Sequence, residues 1–438
     1  MRIVLAALLL ALAPSPAVAQ VPSVQEALLR AKPAVALVVV EVGAQVTVRC
    51  TAAAGEAKVT PQPFRQNATG FFVSPSGWML TNAHAVAAVQ APPKWLDSEM
   101  AERGVREACP GPAIDRRALM AARVALEPSV SILLPNGARL PAKVAKTSER
   151  NLALLQVEAA DMPALALADS AQAKLGDKLS IIGFPGVVMT HELLSASAKV
   201  EASVTVGAIS GFKQDRANQP VIQTDAAAEA GASGGPAVDA SGRVVGVLTF
   251  VTEGEGGANV QGFNFVIPSA AVREFLAGTP APLDEPSRFN AAWHAGLGAF
   301  FAGSYSRAAA SLAEANRLVP ELPDVVRITA ENTERAKTQP WLPWRGVGVT
   351  LIAVGLAGFG AVLVGRQRRN RFRVRPAEVA RLLDSPDAPV ILDVRATSAY
   401  DSSPVRIPRS LRVTPEQLAG GGSALPVEPT RSVVAYCT

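Results

Sequence analysis

Apolar positions along the chain follow two spacings, and the two are kept apart. Short runs with strand-like alternation or β-branched content predict strands at 34–42, 130–134, 140–145, Leu152–Val157, 179–182, 199–210, 221–223, 244–250 and 263–267. The turn Ser74-Pro75-Ser76-Gly77 joins two further apolar runs into a hairpin whose second strand ends at His84, and Pro135-Asn136-Gly137 marks another turn. Many short strands separated by turn signals suit an all-β double barrel. Helical spacing appears at 24–32, Ser269–Leu276 and 291–337, while 91–127 reads as a charged insertion with no legible function.

Two stretches are apolar in a different way. Residues 346–365 hold no charged side chain over 20 positions, the length that spans a bilayer. Trp341 and Trp344 sit at the front edge, and six arginines lie between Arg366 and Arg375. That asymmetry predicts a membrane helix with its back edge in the cytoplasm, against the alternative of a buried core helix. Ala353, Ala357 and Ala361 form a weak helix-packing face. At the other end, Arg2, an apolar run and Ala17-Val18-Ala19 predict a secretory signal peptide over 1–19, the alternative being an uncleaved anchor. Both place the following residues outside the cytoplasm. Beyond the span, 374–438 changes pattern again, with a helix at 376–383 and buried strands at 390–395 and 431–437.

Composition changes this picture little. A chain of 438 residues suggests two to four domains, and 49% hydrophobic content fits a membrane segment. The six clustered arginines exceed the whole formal net charge of +5, so the basicity is local and nucleic acid is not implied. The residues suggest no metal site and no cofactor.

Candidate chemistry begins at Gly231-Ala232-Ser233-Gly234-Gly235-Pro236, where glycines let backbone N–H groups approach a substrate closely. Of the three histidines, His191 lies in a polar loop and His294 in an alanine-rich helical segment, which leaves His84 as the candidate base. The runs Leu80-Thr81-Asn82-Ala83-His84 and Gly231–Pro236, in that order, resemble the trypsin-like (chymotrypsin-fold) serine proteases of the HtrA/Deg type. The resemblance implies that Ser233 is the nucleophile, His84 the base, and the N–H groups of Gly231 and Ser233 the oxyanion hole. Polypeptides would be the substrates, and a homo-oligomer is compatible. The position six before the serine is Ala227, which by the resemblance implies an uncharged specificity pocket for small or aliphatic side chains.

The sequence departs from that family at the third triad position. Where the family has aspartate before a Leu-Ala-x-Leu strand, this chain has Asn151-Leu152-Ala153-Leu154-Leu155. An amide holds the imidazole ring without stabilising an imidazolium, and its NH2 can favour the wrong tautomer. Such a replacement lowers kcat about 10⁴-fold in a triad protease, roughly 5.5 kcal/mol. Glu149 could substitute only if the local path is extended. No PDZ domain follows. A linker at 280–286 leads instead to 287–338, which carries one tetratricopeptide-like pattern and is expected to form a single helical hairpin. Leu392-Asp393-Val394-Arg395, Ile407-Pro408 with Ser410-Leu411, and Tyr436-Cys437 resemble the start of a rhodanese-like sulfurtransferase domain. There Cys437 would carry a persulfide; its alternative is a strand-end core thiol. The loop that follows the cysteine in that family has no counterpart here, so the domain is expected to be truncated. Cys50 and Cys109 could pair on the oxidising side of the membrane.

The expected organisation is therefore signal peptide 1–19, protease domain 20–278, helical spacer 287–338, transmembrane helix 346–365 and partial α/β rhodanese-like domain 374–438. The expected function is a membrane-anchored periplasmic serine endopeptidase acting on envelope or misfolded proteins, attenuated by Asn151. The alternative is a non-catalytic peptide-binding sensor coupled through a bacterial inner membrane to the rhodanese-like part.

Overall fold

β-Branched residues dominate Val35–Val48 and make it a 14-residue strand, β1. In the computed structural model, which describes residues 23–52, 55–253, 259–338, 344–419 and 426–437, the first barrel is built around this strand. The expected signal peptide and Trp341 lie outside those residues. β1 pairs with β3 (Phe64–Phe72) on one side and β5 (Arg123–Leu133) on the other. β4 (Trp78–Asn82), β7 (Leu152–Val157) and β6 (Arg139–Thr147) close the circuit, and β2 (Ala57–Val59) adds to the far end of β1. β8 (Lys178–Gly183), β9 (Ser203–Gln214), β10 (Pro220–Thr224), β11 (Pro236–Val238), β12 (Val244–Glu253) and β13 (Asn259–Pro268) form a second closed six-stranded barrel. The expected double barrel is present.

The first six residues of β1 are all buried because both faces of the strand are covered. Val35, Leu37 and Val39 join a cluster that reaches Ile182, Phe184, Val247 and Ile267 of the second barrel. Ala36, Val38 and Val40 join another that includes Phe289, Trp293, Leu297 and Leu312 from the helices that follow. Burial on both faces removes the alternation that would otherwise mark a strand. The stretch predicted at 34–42 covers this doubly buried part, and β1 continues past it to Val48 with buried and more exposed positions alternating.

Those helices are Arg288–Phe301, Tyr305–Leu318 and Pro323–Thr338, so the expected hairpin is a three-helix unit. It is also no detached spacer. Trp293 is fully buried and its Nε1–H donates to the Leu29 carbonyl at 2.7 Å, tying it to the N-terminal helix Val24–Ala31. Two other expectations shift. The insertion at 91–127 folds into helices Trp95–Ala108 and Arg116–Ala121, with β5 starting at Arg123. The strand expected at 199–210 begins at Ser203, after a helical turn at Ala196–Lys199. Cys50 and Cys109 form a disulfide that holds the end of helix Trp95–Ala108 beside the end of β1.

The chain divides into compact units at 1–339 and 340–438. In the second unit the helix Trp344–Asn370 contains a stretch, Gly348–Asn370, long and apolar enough to cross a membrane. The remainder holds a parallel sheet in the order β15 (Leu411–Arg412), β14 (Val390–Asp393), β16 (Val433–Tyr436). At the end of β14 the buried Asp393 carboxylate accepts from the Arg395 guanidinium and the Tyr436 hydroxyl. Those hydrogen bonds, the Arg395 one foremost, hold its carboxyl far below the usual carboxylate range. Cys437 is exposed just past β16.

Candidate active site

β4 is buried along its whole length and ends at Asn82, so His84 leaves the barrel as the second residue of helix Ala83–Gln90. The β3–β4 turn is fixed by Gly77, whose φ of +90° suits a residue without a Cβ. Behind it, Ser74 Oγ and Ser76 Oγ both donate to Glu285 Oε2, at 2.6 and 2.9 Å. These bonds hold the Glu285 carboxyl below its ordinary range.

Asn151 faces His84 from the start of β7. Its own backbone is left-handed at φ 58°, a region asparagine enters more readily than most residues. Its carbonyl accepts from Asn82 Nδ2 at 3.0 Å and from the Ala83 N–H at 3.1 Å, which locks the turn to the end of β4. The Asn151 N–H donates to the Ser148 carbonyl, so 148–151 is a tight turn. The extended path that would let Glu149 stand in for the missing carboxylate is therefore not present.

The side-chain amide is oriented by its other partners. The His84 N–H can only donate, and it meets Asn151 Oδ1 at 3.0 Å. Asn151 Nδ2 in turn donates to Thr249 Oγ1 at 2.9 Å, from a threonine that is buried in β12. Oδ1 therefore points at the histidine, 3.1 Å from His84 Nδ1, where it can accept an Nδ1–H and leave Nε2 as the base. The amide nitrogen also lies 2.9 Å from Nδ1, so a competing contact that favours the opposite tautomer is built into the same site. A carboxylate offers no such competing donor.

Ser233 comes from the second barrel. Gly231 at φ +96° and Gly234 at φ +86° shape its loop, and a Cβ on Gly234 would fall 2.3 Å from the Thr69 carbonyl oxygen and 3.0 Å from Asn82 N. The residue after Ser233 is thus packed against backbone two positions before His84. Thr69, fully buried in β3, clamps this loop across the seam between the barrels. Its N–H donates to the Ser233 carbonyl at 3.0 Å, its Oγ1 donates to the Gly231 carbonyl at 2.7 Å and accepts from the Phe184 N–H at 3.0 Å. Among the described residues, Ser233 Oγ and the N–H groups of Gly231 and Ser233 have no hydrogen-bond partner, and no Ser233–His84 hydrogen bond is formed. Apo sites of this kind often tighten only around a substrate.

Beside the loop lies a pocket of about 220 Å³. Ala227 lines it, together with Ile181, Val187, Val188 and Ala232. Glu229 lines it too, so the pocket is not uncharged as Ala227 alone implied. Glu229, Thr69 and Thr249 are the residues sequence reasoning missed. Both threonines sit inside strand runs where nothing local distinguishes them, and Glu229 could have been found from its place four before the serine.

The other two histidines lie elsewhere. His191 is exposed in the loop after β8, and its Nδ1 accepts from the Leu193 N–H. His294 is half-buried in helix Arg288–Phe301, where burial, then the nearby Arg30 charge, push its pKa down to about 4. Among the described residues no cluster of His, Cys, Asp or Glu could hold a metal.

Residues 68–247 match the family described as a trypsin-like peptidase domain. The chain is 29% identical over 213 residues to a probable periplasmic serine endoprotease DegP-like of Chlamydia pneumoniae, covering 48% of this chain and 33% of that protein. It is 31% identical over 212 residues to a protein of the same description from Hahella chejuensis, covering 48% and 34%. With a serine protease Do-like HtrA of Lactobacillus helveticus it shares 34% over 152 residues, covering 33% and 34%. The chain thus spans about a third of the length of these relatives. A solved structure, the HtrA-type protease AlgW with tripeptide, aligns over 58% of this chain and 62% of its own at 24% identity and a TM-score of 0.37. Similarity to serine proteases of the HtrA type rests on the sequence matches.

Proposed function

We propose that the protein is a membrane-anchored periplasmic serine endopeptidase of the HtrA type, slowed by Asn151 and acting on envelope or misfolded proteins. One observation carries the reading: the Asn151 amide bridges His84 and Thr249, while the glycine-walled Ser233 loop packs against the strand that delivers His84. In that arrangement Ser233 Oγ attacks the peptide carbonyl and His84 Nε2 takes the proton. His84 then returns it to the leaving amine, and the Gly231 and Ser233 N–H groups hold the oxyanion. The periplasmic descriptions of the relatives and the apolar helix with its arginine-rich exit support the location and anchoring. The parallel sheet with Cys437 just past β16 supports a rhodanese-like part on the cytoplasmic side.

Casein cleavage by the purified full chain, abolished by Ser233→Ala, is the expected result. The amide at 151 also favours a second reading, a protease fold that binds peptides and signals through the membrane helix. Peptide binding without turnover, unchanged by Asn151→Asp, would select that second reading.

A further inference from the structure

The pocket beside the loop that carries Ser233, lined by Ala227, Ala228, Glu229 and Ala232 of that loop, combines an apolar wall with a single charge. Ile181, Val187 and Val188 supply the wall, and Ala227 and Ala232 leave the space open by being small. Glu229 is the one charged residue among the described residues that line it. It is half-buried, and among the described residues no hydrogen bond or ion pair engages its carboxylate. Its backbone is otherwise committed, since its carbonyl accepts from the Ala232 N–H at 3.0 Å and so fixes Glu229 one turn from the nucleophile.

We propose that Glu229 makes this a pocket for basic side chains, so that the protein selects peptides with lysine or arginine on the N-terminal side of the scissile bond. Such side chains carry an apolar stem that wants a greasy wall and a cationic head that wants a carboxylate. A partly desolvated carboxylate without a partner disfavours an aliphatic occupant, which would cover it and give no hydrogen bond in return. A cation at the same place turns that cost into a charge-assisted hydrogen bond. Ala227 and Glu229 therefore act together. The alanine makes room, and the charge sits two residues along the same loop.

The inference rests on the endopeptidase reading for its substrate and is tested so that the two can fail separately. Peptides identical except for Lys, Arg, Val or Glu before the scissile bond are assayed with the full chain in detergent micelles. Their binding to the Ser233→Ala full chain is measured by fluorescence anisotropy, which needs no turnover. Lysine and arginine peptides are expected to exceed the valine peptide about tenfold in binding, and in kcat/KM where cleavage occurs, the worth of one hydrogen bond to a charged group. Glu229→Gln should bring the Lys-to-Val ratio near one, and Glu229→Asp should keep part of it. Basic preference in binding with no cleavage of any peptide would sink the endopeptidase reading alone. Valine favoured over lysine in the unsubstituted pocket, no binding of any of the peptides, or a Lys-to-Val ratio indifferent to Glu229→Gln, would overturn the pocket assignment.

Discussion

Asn151 makes contacts that an aspartate would share, and one that it would not. The His84 N–H and the Thr249 hydroxyl suit either residue, because a carboxylate accepts at both places, whereas the amide NH2 also reaches the ring nitrogen. Asn151→Asp changes no volume, and aspartate also tolerates a left-handed backbone. We expect it to raise kcat/KM steeply, by up to about 10⁴-fold, measured on a chromogenic peptide. An unchanged rate would mean that the amide is not what limits the site. Thr249 matters through Asn151. Thr249→Val removes the acceptor that draws Nδ2 away from His84 and should lower kcat with little change in KM, while Thr249→Ser restores it. Thr69→Val leaves the Phe184 N–H without its acceptor and the Gly231 carbonyl without its donor, at a cost of about 1–3 kcal/mol in denaturant unfolding.

At the scale of elements, the insertion after His84 is held by a covalent tie. The Cys50–Cys109 disulfide closes a separation of 59 residues between the end of β1 and the helix Trp95–Ala108. By loop-closure entropy this stabilises the fold by about 4 kcal/mol. The double variant Cys50→Ser/Cys109→Ser should lower the guanidinium midpoint accordingly, and an unshifted midpoint would show that packing alone retains the helix. That packing is close: a Cβ on Gly104 would lie 2.7 Å from the Val46 side chain. The charged composition of 91–127 hid this helix, since only the narrow stripe Leu96, Met100, Ala101, Gly104 and Val105 is buried.

Within the first unit, the helices after the barrels belong to the same apolar core as β1. Trp293→Ala would open a cavity in that shared cluster and cost about 3–5 kcal/mol, lowering the melting temperature of the barrels as well as of the helices. Two separate transitions, with only one shifted, would contradict this. His294 gives the same junction a pH dependence. Its pKa falls from 6.5 to about 4 on folding, so between those values the unfolded chain takes up a proton that the folded one refuses. Stability is fully present above about pH 6.5 and is lost as pH falls toward 4, by at most about 3 kcal/mol. His294→Gln should flatten that part of the stability profile.

The sequence by itself determined the double barrel and singled out His84, Ser233 and Asn151 as the candidate site. Those signals are local: turn residues, alternation along strands, and glycines whose backbone no other residue fits. Only the tertiary structure decided what surrounds them. Asn151 and Thr249 are 98 residues apart, Thr69 and Gly231 162 apart, and Trp293 and Leu29 264 apart. None of these pairs leaves a trace in spacing or composition. Glu149 is the converse case, two residues before Asn151 in sequence and withdrawn from it by the turn at 148–151. Which carboxylate meets the site is settled by the path of the backbone and by closure of two barrels on one seam. Proximity along the chain does not decide it.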